Sequence, residues 1–359
     1  MGIDFDGARW ERVKANYAAW WAGELKRPLI HVVVGRDPGR PEPKLPNHGF
    51  VPFYGLYTPV EDIVDRWDYN LSCCKFLGDA FPHIFPNFGP GVAAAFMGAV
   101  LHSSAEAGTV WFHPAEDTEM PATRFRYDAG DVWLNRIRDI TKAAMDRWQG
   151  AVQVSMTDLG GNLDVLSSFR PSEKLLFDLY DYPEDVKRLT WEAHELWWRF
   201  FDELNSILQP LNPGYSAWAG IYSEEPHYML QCDFCYMIGP DMFDEFVRPE
   251  LAASCKRMPN AFYHLDGPGQ LAHLDSLLSI DELKGVQWIP GAGNPDCGHW
   301  PEVYRKIRGA GKLIQAHGDM ATLDIIAEQL GSAEGIEYRT WASSEDEARE
   351  FLGKYGADS

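Results

Sequence analysis

The chain has 359 residues, of which 45% are hydrophobic and 24% charged, too much apolar side chain for a disordered segment. Asp and Glu number 53 against 32 Lys and Arg, a formal net charge of -21. Such a field repels phosphate backbones and anionic lipid, so neither nucleic acid nor membrane is an expected partner.

The acidic start, Asp4-Phe5-Asp6, has no signal-like apolar region. Six irregularly spaced cysteines suit reduced thiols and a cytoplasmic location. Trp10, Val13, Tyr17, Trp20, Trp21 and Leu25 recur mostly at helical spacing and predict a first amphipathic helix. Residues 29–34 then form an almost wholly apolar run, as expected of a strand buried on both faces. A weaker strand is expected over residues 81–88. Residues 89–149 are too long for a simple return and read as an insertion. In it, residues 91–101 predict a buried helix and residues 109–112 and 122–127 a hairpin, followed by another helix. Further strands are expected at 152–156, 217–222, 261–263, 286–289, 313–316 and 336–341, with helices at 183–208, 242–258 and 323–330. Eight strands with helical returns predict an α/β fold, one (β/α)8 TIM barrel spanning 1–359 with an insertion after strand 2.

In such a barrel the chemistry sits where the strands end. Those positions carry Asp158 through Asn162, Ser223 through His227, His264 through Gly269, Pro290 through Asn294, and His317 through Asp319. His264 and Asp266, two apart, share one face of a strand. With Glu225 and His317 they offer two nitrogens and two carboxylates, enough for zinc or another divalent metal; without metal they are an acid/base pair. Asp158, Asp233 and Tyr236 are candidates for orienting substrate. Arg36 and Arg40, on one turn after the first strand, are candidate carboxylate clamps. Cys232 and Cys235 read as buried structural cysteines.

The chain resembles the uroporphyrinogen decarboxylase superfamily, which also contains zinc-dependent methyltransferases that work with corrinoid proteins. The resemblance rests on Arg36-x-x-Gly39-Arg40, Leu77-Gly78-Asp79, Cys232-Asp233-Phe234 through Pro240, His264-x-Asp266-Gly267 and Ala316-His317-Gly318. It implies two activities. In the decarboxylase branch, Arg36, Arg40 and Asp79 would hold a tetrapyrrole-like carboxylated substrate, with no cofactor. In the methyltransferase branch His264 matches a ligand, Asp266 stands in place of a cysteine, and His317 stands near the second cysteine; a metal there would have harder N and O ligands. The expectation is metal-assisted methyl transfer from a small methylated compound, with His264, Asp266, Asp79 and His317 as catalytic residues. A corrinoid protein is the expected partner and a homodimer the expected assembly. The rivals are cofactor-independent decarboxylation and a non-catalytic ligand-binding barrel in which His264 and His317 are tied up in structural hydrogen bonds.

Overall fold

The structure, a computed structural model, describes residues 2–357. The first helix, Gly7–Trp21, begins where the Asp6 side chain accepts from the Arg9 amide, and buries the stripe Trp10, Val13, Tyr17 and Trp20. Eleven strands follow: β1 (Leu29–Gly35), β2 (Cys74–Gly78), β3 (His83–Ile84), β4 (Val100–Ser104), β5 (Thr109–His113), β6 (Gln153–Val154), β7 (His227–Leu230), β8 (Asn260–Asp266), β9 (Gly285–Ile289), β10 (Leu313–His317) and β11 (Ile336–Ala342). Seven form one sheet in the order β2-β1-β11-β10-β9-β8-β7, with every pair parallel except β1 and β2. β3 pairs in parallel with β6, and β4 with β5 as an antiparallel hairpin. Helices such as Arg248–Arg257, Pro301–Gly309 and Met320–Leu330 make the crossovers that parallel strands require. One apolar core extends from Trp10 to Ala357. Among the described residues no helix is long and apolar enough to cross a membrane.

The fold is therefore mixed α/β with a mostly parallel sheet, and its hydrogen-bonded ladder does not close into a barrel. Five expectations need correction. Residues 217–222 are mostly buried but form no strand: Gly220, at φ +74°, donates its N–H to the Ala217 carbonyl at 2.8 Å, and the segment loops back so that Tyr215 and Ser223 pair with each other. A β-carbon at Gly220 would lie 2.5 Å from the Arg339 guanidinium and 2.6 Å from the His83 ring. The strand in this region is β7, a few residues later. The runs 81–88 and 152–156 shrink to the two-residue strands β3 and β6. Residues 91–101 hold only a short helix, Ala93–Phe96, before Gly98 at φ +112° sends the chain into β4. The partner of β5 is accordingly β4 and not residues 122–127.

β2 was not expected, and its direction matters for Asp79. Because β2 runs antiparallel to β1, Asp79 lies at the amino end of β1. There it is 1% exposed, and its carboxylate accepts from both Arg27 nitrogens at 2.6 and 2.9 Å, from the Ile30 amide at 2.9 Å and from Asn16 at 2.7 Å. All its acceptor capacity goes to joining the first helix, Arg27 and β1. Removing one partner of a buried pair leaves the other charge uncompensated. Asp79→Asn is expected to lower stability by roughly 3 kcal/mol in denaturant unfolding, with ligand and metal binding by the folded protein unchanged.

Candidate functional site

The carboxyl ends of the parallel strands bring together groups that are far apart in sequence. β8 ends on His264 and Asp266, and β7 leads through Gln231 into a turn of 3-10 helix, Asp233–Met237. Among the described residues Asp233, His264 and Asp266 form a group of three possible metal donors whose ligand atoms all lie within 4.8 Å of one another. His264 Nε2 lies 3.9 Å from Asp266 Oδ2.

The free nitrogen of His264 is fixed by a relay across the sheet. Register places His264 beside Gln287 of β9, and Gln287 beside Gln315 of β10. Gln315 Nε2 donates to the Ala219 carbonyl at 3.2 Å, which leaves Gln315 Oε1 to accept from Gln287 Nε2 at 2.6 Å. Gln287 Oε1 must then accept from His264 Nδ1, at 2.5 Å. A carbonyl can only accept, so the direction of each bond follows from the last. His264 Nδ1 carries the proton, and Nε2 presents its lone pair to the carboxylates. Burial lowers the His264 pKa, which keeps the ring neutral. The indole of Trp218 packs edge-on against the ring, centroids 4.9 Å apart.

Two further acids stand behind Asp233. Asp164, in helix Asn162–Phe169, accepts from the Asp233 and Phe234 amides at 3.0 and 2.7 Å and so positions the turn bearing Asp233. Asp158 Oδ1 accepts from the Gly160 amide at 2.9 Å and the Gly91 amide at 3.4 Å. The approach depends on Gly161, where a β-carbon would sit 2.1 Å from the Gln231 carbonyl. Burial, then the charge of Asp233, pushes the carboxyls of Asp158 and Asp164 up to about 7. Burial, then Asp266, pushes Asp233 up to about 6. Asp233 reaches into an open cavity of about 350 Å³, so it meets solvent although protein surrounds most of it.

The remaining candidates divide. Tyr236 lies over the turn after Asp266, where a β-carbon on Gly269 would come within 2.5 Å of its ring, so it borders the site. His317 ends β10 two residues beyond Gln315, on the same face, but is exposed and outside the donor group. Its electrostatic partners include His264, and burial lowers its pKa. Glu225 is exposed and precedes β7, at the strand's amino end, because the strand assigned to 217–222 lies later. Arg36 bonds the Ser72 carbonyl at 2.8 Å and pairs with Asp4 at 3.3 Å; Arg40 pairs with Asp68 at 2.7 Å. Neither they nor Asp79 line this cavity. Asp164, Gln287 and Gln315 escaped sequence reasoning. The visible signal for the glutamines is an amide in the middle of an apolar strand, as in Val286-Gln287-Trp288.

Compared with solved structures, the chain is similar to a methyltransferase from Methanosarcina mazei, with a TM-score of 0.59 and 13% identity over 91% of this chain and 92% of that one. At that identity the likeness is one of fold. No family model and no curated protein matches the sequence.

The raised Asp158 pKa has a measurable consequence. The folded carboxyl holds its proton up to about 7, against 3.8 ordinarily, so the folded state binds more protons between those values. Its contribution to stability is full below 3.8 and is lost as pH rises toward 7. Asp158→Asn keeps an oxygen for both glycine amides and removes the titration. Relative to the natural protein, its stability is expected to rise by about 1–3 kcal/mol between pH 5 and 8; a difference constant with pH contradicts this.

Proposed function

We propose that the protein is a metal-assisted methyltransferase that takes a methyl group from a small methylated compound and passes it to a corrinoid protein. The observation that carries this reading is the Asp233, His264 and Asp266 donor group, with the His264 lone pair held toward the carboxylates. The likeness of fold to a methyltransferase supports it. So does the arrangement of β1, β3, β6 and β7 to β11, which we read as the eight strands of a (β/α)8 barrel interrupted at two places, forming one domain with the insertion over 89–149.

The donor set fits a divalent cation. Two carboxylates and a neutral imidazole leave a net negative charge that a cation offsets. Asp233, His264 and Asp266 would hold it, and zinc or another borderline-hard metal suits the N and O donors. Such an ion, when bound, polarises the heteroatom that carries the methyl group. The bond from methyl to heteroatom then breaks with its electron pair left on the heteroatom. The methyl passes to the nucleophilic acceptor, and a protonated carboxyl, that of Asp158, supplies the proton the leaving heteroatom needs. Its raised pKa suits that role near neutral pH. Tyr236 would cover the site from the rim. The superfamily relation, a cytoplasmic location and a homodimer belong to this same reading.

Incubating the protein with cob(I)alamin and small O-methyl and N-methyl compounds tests it. At least one compound is expected to yield methylcobalamin, by absorbance, with loss of the activity in chelator and at least 100-fold loss in Asp266→Asn. Indifference to both chelator and Asp266→Asn, or no transfer from any compound, overturns the reading.

A further inference from the structure

Positive charge at the strand ends stands apart from the acids. On β11, Glu337 and Arg339 share one face, and register sets Gln315 beside Glu337 and His317 beside Arg339. Gln315 belongs to the relay that fixes His264, so Arg339 faces the same side of the sheet, beyond His317. Both Arg339 and His264 act on the His317 ring. The loop before β7 runs along this row. Trp218 packs on His264, the Ala219 carbonyl accepts from Gln315, and the Gly220 carbonyl accepts from Arg339 Nη2 at 2.6 Å.

Glu337 aims the guanidinium. It is fully buried, and its Oε1 accepts from Arg339 Nε at 2.9 Å and lies 2.9 Å from Nη2. Those contacts and the bond to Gly220 occupy Nε and Nη2. Nη1 donates to no acceptor among the described residues, and the side chain is 24% exposed, so this nitrogen keeps both protons for a partner from solvent. A β-carbon on Gly220 would lie 2.5 Å from Nη1 and 2.6 Å from His83 Nε2, so the glycine lets guanidinium and imidazole stand together. Burial, then Arg339, pushes the His83 pKa down to about 3, and burial lowers that of His317, so both rings are neutral near pH 7. A carboxylate supplies the acceptor oxygens that these groups lack, in the charge-assisted bond that arginine favours. Arg36 and Arg40 are already spent on Asp4, Asp68 and Ser72.

We propose that Arg339 Nη1, with His83 and His317 beside it, binds a carboxylate group of the substrate across the strand ends from Asp233, His264 and Asp266. This rests on the methyl-transfer reading for its meaning, since it makes the substrate a methylated compound that also carries an acid group. The two sides then orient it in one direction: β11 takes the carboxylate, and the donor group takes the heteroatom that bears the methyl.

Ligand-detected NMR titration of chelator-treated protein with methoxyacetate and with its uncharged analogue, 2-methoxyethanol, tests the idea. With metal removed, the carboxylate gains nothing from the donor group, whose acids repel it. Methoxyacetate is expected to bind at least fivefold more tightly than the alcohol. Arg339→Lys keeps a cation beside Glu337 and removes Nη1; it should weaken methoxyacetate at least threefold and leave the alcohol unchanged. An arginine with a structural role alone would move both compounds or neither. Equal binding of the two compounds by the natural protein, no binding of methoxyacetate, or indifference of methoxyacetate to Arg339→Lys overturns the inference. The cob(I)alamin assay keeps the two readings apart. A preference for methoxyacetate with no methyl transfer from any compound leaves the carboxylate site and removes the methyl-transfer reading. Methyl transfer without that preference does the reverse.

Discussion

Asp158, Asp164, Asp233 and Asp266 are gathered at one end of the parallel sheet around a single imidazole, and no lysine or arginine figures in the shifts of Asp158, Asp164 and Asp233. Charges of one sign held in partly buried positions raise one another's pKa, and the chain must take up protons or a cation to relieve them. Elsewhere the molecule pairs its buried acids with care: Asp79 with Arg27, Asp178 with Arg170, Glu337 with Arg339. The acids at the strand ends are the exception.

The two ends of the sheet are put to different uses. At the amino end, the first helix lays Tyr17 against His31 and Trp10 and Trp21 against backbone carbonyls, while Asp79 locks Arg27 to β1. Every polar group named there is spent on structure. At the carboxyl end the glutamine relay spends three side-chain amide and imidazole contacts to leave one atom, His264 Nε2, unspent. Parallel strands lend themselves to such a division, the amino ends serving stability and the loops at the carboxyl ends free to vary.

The sequence made part of this legible. β8, β9 and β10 are largely apolar runs closed by polar turns, so their carboxyl ends, and with them His264 and Asp266, could be located. The fourth strand could not, since Ala217-Trp218-Ala219 looks more strand-like than His227-Tyr228-Met229-Leu230, and burial without pairing leaves the same apolar imprint. That displacement assigned Glu225 to the ligands and left Asp233, which follows the real strand, among the substrate contacts. Asp164 was invisible because it lies within a helix; only the preceding Gly160-Gly161 hints that this helix approaches another backbone closely. Arg36 and Arg40 were judged by their position after β1, but the partners that claim them, Asp4, Asp68 and Ser72, are set by tertiary packing.

The most direct measurement is X-ray absorption at the zinc edge on protein loaded with one equivalent of the metal. Nitrogen and oxygen scatterers at about 2.0–2.2 Å, with no sulfur, are the result expected of Asp233, His264 and Asp266. A sulfur shell at about 2.3 Å, placing the ion on Cys232 and Cys235, or spectra indistinguishable from free aqueous zinc, would contradict it.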